Sequence, residues 1–296
     1  MAKPYLAALA LLANALTWGI SWWPFRQLQD LGVHPLWSTA LIYAFAVIVL
    51  LAVRSGAWRA FARHPGLWIL LVASGLTNVG FNWAVTVGDV VRAVLLFYLM
   101  PAWVVVLAWP LLGEKPSAGS LARLALALTG VVVVLKSPES PWPWPSSMAD
   151  GLALMGGFCF ALTNVMLRRL HQQPTSSSML AMFVGGALMA CLTASLGAHA
   201  DLVPVLPPVQ GVWLAWVAAM SLMFLGGNMG LQYGAARLSA NTTSVIMLSE
   251  VVFASVSAVL LGAGELSTRT LLGGTLVLLA ALLSAVPFSR GRDHSP

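Results

Sequence analysis

What most constrains this chain is a recurrence: apolar runs of about 20 residues, the length that carries a helix across a bilayer, alternate with short segments that hold the charge. Proline, glycine and charged residues punctuate the runs, placing them near 5–23, 35–53, 67–87, 91–112, 118–135, 150–170, 178–196, 212–235, 239–261 and 270–287. A water-facing explanation fails on composition. Of the 296 residues 59% are hydrophobic and 8% charged, whereas a soluble domain carries roughly 25% charged residues. Inside a bilayer the backbone finds no water to bond, so each run must be a helix unless the chain closes into a barrel, and the runs lack barrel alternation. The sequence therefore predicts an all-α polytopic membrane protein of ten transmembrane helices. The first run is too long for a signal-peptide core and ends in Trp22-Trp23-Pro24 with no small-residue cleavage site, so it counts as a span.

A formal charge of +6 and a pI near 9.9 raise nucleic-acid binding, but the basic residues sit between spans and form no patch, which argues against it. Their distribution orients the chain instead. Ten spans bring both termini to one side, where Lys3, Arg54, Arg59, Arg63, Lys115, Arg123, Arg168, Arg169, Arg237, Arg290 and Arg292 fall, against Arg26, Arg92, Lys136 and Arg269 opposite. The positive-inside rule then puts both termini in the cytoplasm, with the chain in the inner membrane. Cys159 and Cys191 lie inside apolar runs without a spaced histidine and read as small core hydrophobes. All five histidines fall in loops or at ends, no aspartate is central to a span, and no Walker loop or dinucleotide fingerprint appears. An enzyme is not expected, nor a cofactor or a metal.

Residues 136–149, with prolines at 138, 141, 143 and 145 and tryptophans at 142 and 144, read as an extracytoplasmic linker with interfacial anchors. It divides the chain into a first five-helix repeat (1–135), a second (150–290) and a cytoplasmic tail (291–296). At an offset of 150, Asn78-x-Gly80-x-Asn82-Trp83-Ala84 aligns with Asn228-x-Gly230-x-Gln232-Tyr233-Gly234, and Met100-Pro101 with Glu250-Val251. One inserted residue brings Gly113-Glu114 onto Gly264-Glu265, and Ala15-Leu16-Thr17 matches Ala161-Leu162-Thr163. Because each copy has an odd number of spans, the second enters the membrane from the opposite face, an inverted repeat of the kind that alternates access around a midplane site.

Five-plus-five spans, a Gly-Glu ending the fourth and ninth, Pro101 in the fourth and the loop Gly113-Glu114-Lys115 resemble the drug/metabolite transporter superfamily, in its ten-helix EamA-type exporter branch. The resemblance covers nearly the whole chain. The tryptophan-rich character and the stretch Leu95 to Trp103 look most like the YddG-type aromatic amino acid exporters. The resemblance implies an exporter of aromatic and other neutral amino acids; the alternative is an exporter of drugs or other small neutral metabolites. The family pattern shows Glu-Pro in both halves, whereas this chain has Met100-Pro101 and Glu250-Val251. A role needing two carboxylates is therefore not expected.

An unpaired amide in hydrocarbon costs a few kcal/mol, so polar residues within spans should face a partner helix or a wet cavity. Asn14, Thr17, Trp18 and Ser21 form one stripe on the first span, Asn78 and Asn82 stack a turn apart on the third, Asn228 and Gln232 repeat this on the eighth, and Thr163 with Asn164 serve the sixth. Taken singly, each amide reads as an interhelical hydrogen bond. Jointly they nominate a substrate site of Thr17, Trp18, Asn78, Asn82, Tyr98, Trp103, Asn164, Asn228 and Gln232, where asparagine meets both ends of an amino acid and Trp18, Tyr98 and Trp103 offer stacking faces. No Lys or Arg lies near a span centre, which disfavours phosphorylated substrates.

Glu250 is the only acid within a span. It must be neutral or partnered there, by Asn82, Ser249 or Ser255, and it serves either helix packing, substrate binding or coupling to protons. Gly226, Gly230 and Gly234, with the weaker copy Gly80, Ala84 and Gly88, predict close helix packing. Pro24, Pro101 and Pro110 mark candidate bends.

Overall fold

The computed structural model describes residues 4–87, 93, 96–135, 145, 147–261 and 268–285, and the regular structure among them is helical throughout. The helices are α1 (Pro4–Asp30), α2 (Pro35–Val53), α3 (Ala57–Arg63), α4 (Pro65–Val87), α5 (Met100–Leu112), α6 (Ala118–Leu135), α7 (Met148–Arg169), α8 (Thr175–His199), α9 (Gly211–Ala235), α10 (Ala240–Met247), α11 (Glu250–Leu260) and α12 (Thr268–Ala285). Six of them, α1, α2, α4, α7, α8 and α9, are long and apolar enough to cross a membrane, and α5, α6, α10–α11 and α12 carry shorter apolar stretches. The outward faces agree with that solvent: Ile48, Val106, Leu188, Leu222 and Leu282 are all exposed, an apolar coat that water would not tolerate but lipid does. Gly88, Arg92, most of the 136–149 linker, Gly264-Glu265 and residues 286–296 lie outside the described residues.

Local chemistry sets the helix ends. The His34 Nδ1 accepts from Leu36 N (3.2 Å) at the start of α2, with Pro35 in the first turn. Burial holds this imidazole below its usual pKa, consistent with a neutral, accepting nitrogen. Ser147 and Asp150 form a reciprocal capping box on α7, and Gly113, at φ 71°, closes α5 in the left-handed conformation that glycine adopts without strain.

Four sequence expectations are corrected. The first helix runs through Pro24 to Asp30 instead of ending at Trp23. A short helix, α3, precedes α4, tied to α8 by Ser177 Oγ donating to Ala57 O (3.1 Å). Cys191 is exposed on the outer face of α8, whereas Cys159 is buried as expected. Most consequential, the fourth and ninth spans are interrupted, at Tyr98–Leu99 and at Leu248–Ser249.

The two interruptions have different causes. Pro101 has no N–H to give Phe97 O, and the chain tightens to three-residue bonds, Leu99 N to Leu96 O (3.3 Å) and Ala102 N to Leu99 O (2.9 Å). In the ninth span no proline is present. There the Ser249 hydroxyl takes Ile246 O at 2.7 Å, a carbonyl that Ser249 N also reaches at 3.0 Å, and Val251 N turns back to Leu248 O at 3.1 Å.

Helix pairs share a design. A Cβ on Gly230 of α9 would lie 2.5 Å from Ala10 O of α1, and one on Gly80 of α4 would lie 2.6 Å from Leu152 O of α7 beside Gly156. Only glycine permits backbones this close. Gly226 meets nothing within 4 Å; Gly227, pressed on Thr17, replaces it in the seam. The remaining large contacts join α1 to α11, α5 to α7, α4 to α8, α2 to α8 and α9, and α6 to α12.

Candidate functional site

These seams leave a cavity of about 70 Å³ in the middle of the bundle, bounded by α1, α2, α4, α7, α8, α9, the Phe97 segment and the start of α11. Five of the residues nominated from sequence line it: Trp18, Asn78, Asn82, Asn228 and Glu250. Ser74, Thr77, Asn78, Phe81 and Asn82 supply the α4 wall, Tyr43 the α2 wall, and Phe160 and Thr163 the α7 wall, with Phe97, Met182 and Leu231 completing it.

The wall is held by hydrogen bonds among its own polar groups. Asn78 Nδ2 donates to Ser74 O (2.9 Å) on its own helix, and its Oδ1 accepts from the Tyr43 hydroxyl (3.0 Å). Asn228 Nδ2 donates in the same way to Phe224 O (3.0 Å). Asn82 Nδ2 crosses to Thr39 Oγ1 on α2 (2.7 Å). Thr77 Oγ1 gives its proton to Ala73 O (2.8 Å) and Ser74 Oγ reaches Leu71 O (3.2 Å). The indole of Trp18 stacks on Phe224 with centroids 4.4 Å apart.

The structure moves the other nominated residues elsewhere. Tyr98 is buried behind the wall among Ala127, Val131, Leu248 and Val277; it offers no stacking face and instead its hydroxyl bonds the Glu250 carboxyl. Of the partners expected for Glu250, Asn82 Nδ2 donates to Thr39 Oγ1 and the Ser249 hydroxyl to Ile246 O, and the Ser255 side chain lies outside the described ones. Thr17 donates to Ala13 O (3.0 Å) and packs on Gly227. Trp103 packs edge-on against Phe158 with centroids 5.7 Å apart. Asn164 is fully buried, donating to Phe160 O (3.0 Å). Gln232 extends to the first turn of α8, with its amide oriented to donate to Thr175 O and accept from Met179 N, each at 3.0 Å. Sequence reasoning missed Tyr43, Phe81, Phe97 and Phe160. A signal for Phe81 was present, since it continues the helical stripe of Ser74, Thr77 and Asn78.

At one end of the bundle a second, polar cavity of about 580 Å³ opens beside Pro101 and Val245, lined by Glu114, Lys115, Arg123, Ser239 and Asn241. Glu114 ties that end together, its Oε1 lying 3.4 Å from Arg168 Nε and its Oε2 accepting from Ala240 N (3.1 Å) at the start of α10. Arg168 Nη1 also caps the end of α9, donating to Ala236 O (2.6 Å). Among the described residues no three His, Cys, Asp or Glu side chains converge as metal ligands would.

The sequence model of the EamA-like transporter family matches residues 5–136 and 147–286. No curated protein matches the chain. One crystal structure of another protein is similar with a TM-score of 0.76, covering 94% of this chain and 96% of that one at 20% identity, a likeness of fold.

Proposed function

Since the chain belongs to the EamA-like transporter family, whose members move small metabolites across membranes, we propose that it exports aromatic and other neutral amino acids across the inner membrane by alternating access around the central cavity. The observation that carries this reading is the cavity itself, where amides, aromatic rings and one carboxyl from both halves of the chain meet in the middle of an apolar bundle. At about 70 Å³ it is smaller than the roughly 150 Å³ that accepts benzene. An aromatic substrate thus requires the helices around it to part, which is what alternating access supplies.

The architecture in this reading is ten spans in two inverted five-helix repeats, 1–135 and 150–290, joined by an extracytoplasmic linker at 136–149, with a tail at 291–296 and both termini cytoplasmic. Several features support it. The family match divides between 136 and 147. The two helix interruptions lie 150 residues apart, at Tyr98–Leu99 and Leu248–Ser249, and paired interrupted helices mark binding sites in inverted-repeat transporters. Exchanging α1 with α7, α2 with α8, α4 with α9, and α5 with α10–α11 maps α4–α7 onto α9–α1, α4–α8 onto α9–α2, and α5–α7 onto the contacts of α10–α11 with α1.

Uptake by proteoliposomes containing only this protein tests the reading. Labelled tryptophan and phenylalanine should enter faster than threonine, and faster than into protein-free vesicles; uptake equal to the protein-free control contradicts export. A repeat with an imposed pH gradient tests the further proposal that Glu250 couples transport to protons: acceleration by the gradient supports it, and indifference removes it. Drugs or other neutral metabolites are the alternative cargo, favoured by a wall whose rings are mainly phenylalanine.

A further inference from the structure

We infer that the central cavity recognises its substrate by a protonated amine, received by Glu250, and that Tyr98 is the positioning residue that holds this carboxyl at the wall. The inference rests on the transporter reading above and names the chemistry of its cargo.

Two observations carry it. The first is the direction of the asparagines. Because Asn78 and Asn228 each turn Nδ2 onto the carbonyl four residues back, their Oδ1 atoms point the other way; an amide turned around would set oxygen against oxygen. The Asn228 Oδ1 accepts no hydrogen bond from the described residues, and the Asn78 Oδ1 takes only the Tyr43 proton. Hydroxyl donors at the wall are likewise spent on Ala73 O, Leu71 O and Asn78, and the unpartnered Thr163 Oγ1 is shielded from solvent. What remains is the amide oxygens, the second N–H of each amide and the neutral indole N–H of Trp18, none of them charged.

The second observation is charge. Among the described lining residues Glu250 is the one ionisable acid or base apart from the Tyr43 phenol. A substrate carboxylate in so small a space meets a like-signed group and no cation among the described residues, whereas an ammonium meets a carboxyl, amide oxygens and the aromatic rings of Phe81, Phe97 and Phe160. Tyr98 stands at the interruption of the fourth span and Glu250 just after that of the ninth. The Tyr98 hydroxyl bonds the carboxyl, and Glu250 lines the cavity.

Three probes of one ring system separate the possibilities when bound to the purified full-length protein in nanodiscs: tryptamine (amine only), indole-3-propionate (carboxylate only) and tryptophan (both). Tryptamine should bind at least about tenfold tighter than indole-3-propionate, with tryptophan between them, the scale expected of a charged hydrogen bond. Glu250→Gln should erase that preference. Tyr98→Phe should shrink the tryptamine to indole-3-propionate ratio about threefold; a merely structural Tyr98 lowers both affinities and leaves the ratio alone. Indole-3-propionate binding as tightly as tryptamine, or no binding of any probe, overturns the inference, and the wild-type ranking decides even if a variant fails to fold. Amine-selective binding without tryptophan transport in vesicles would instead sink the exporter reading, while transport without amine selectivity would spare that reading and sink this inference.

Discussion

The seam between α9 and α1 and the seam between α4 and α7 are built alike, yet they deliver different side chains to the cavity. In each a glycine, Gly230 or Gly80, presses on a carbonyl of the facing helix, Ala10 O or Leu152 O. Two residues before each glycine, Asn228 and Asn78 bond their own helix and face the cavity. One turn later the two helices differ. Asn82 stays at the wall, bonded to Thr39, while Gln232, one methylene longer, reaches past it to the backbone of α8. At the next equivalent position Met100 is buried in the core and Glu250 lines the cavity. Matching backbone contacts thus hold the two seams, and the chemistry resides where their side chains differ.

The largest effect should come from the shared contact. Gly230→Ala and Gly80→Ala each force a Cβ against backbone, and each should cost about 2 kcal/mol or more, read as loss of monodisperse protein and a lower Tm. Gly226→Ala, with open space around it, should be neutral. A loss at Gly230 alone would break the equivalence of the seams.

The divergent pair should separate by the kind of defect. Gln232→Ala removes the amide that adds to the Thr175 O and Met179 N pair of α8 and should lower stability by about 1 kcal/mol, with transport per folded molecule unchanged. Asn82→Ala should reduce transport while Tm falls less. The comparison fails if both variants lose stability alone.

A smaller effect is expected of the aromatic wall. Trp18→Ala should slow tryptophan transport several-fold more than threonine transport, in keeping with about 1 kcal/mol for an aromatic pair; equal losses would assign Trp18 to packing. Smallest is a difference between the starts of α2 and α8, for α2 is capped by His34 whereas Pro174 gives α8 no side-chain cap. The folded-state pKa of His34 is depressed, so its contribution is present above the unfolded value of about 6.5 and is lost as pH falls through the lower folded value. Tm should decline in that acid window, and His34→Asn, which keeps an acceptor without titrating there, should flatten the decline.

Much of the scaffold was legible in the sequence because burial in lipid writes it in long apolar runs: 35–53 and 118–135 match α2 and α6 end to end. The second interruption was not, since it depends on whether one serine hydroxyl competes for a carbonyl, a choice made by local geometry. The polar stripes pointed to the right helices, but neighbours on a helix diverge by about 100°. Trp18 therefore faces the cavity while Thr17 packs on Gly227, and Thr163 lines it while Asn164 is buried beside it. Sequence periodicity of one helix does not choose between such neighbours; the facing helix does.

The central claim, that one cavity built by both halves is the transport path, is tested most directly by cysteine accessibility. In a background without Cys159 and Cys191, single cysteines at 78, 82 and 228 should react with a small aqueous thiol reagent and be protected by transported tryptophan, whereas cysteines at 17, 103 and 232 should stay inert. Reaction at 17 and 232 as fast as at 78 and 228, or labelling of 78 and 228 that tryptophan leaves unchanged, would contradict the account.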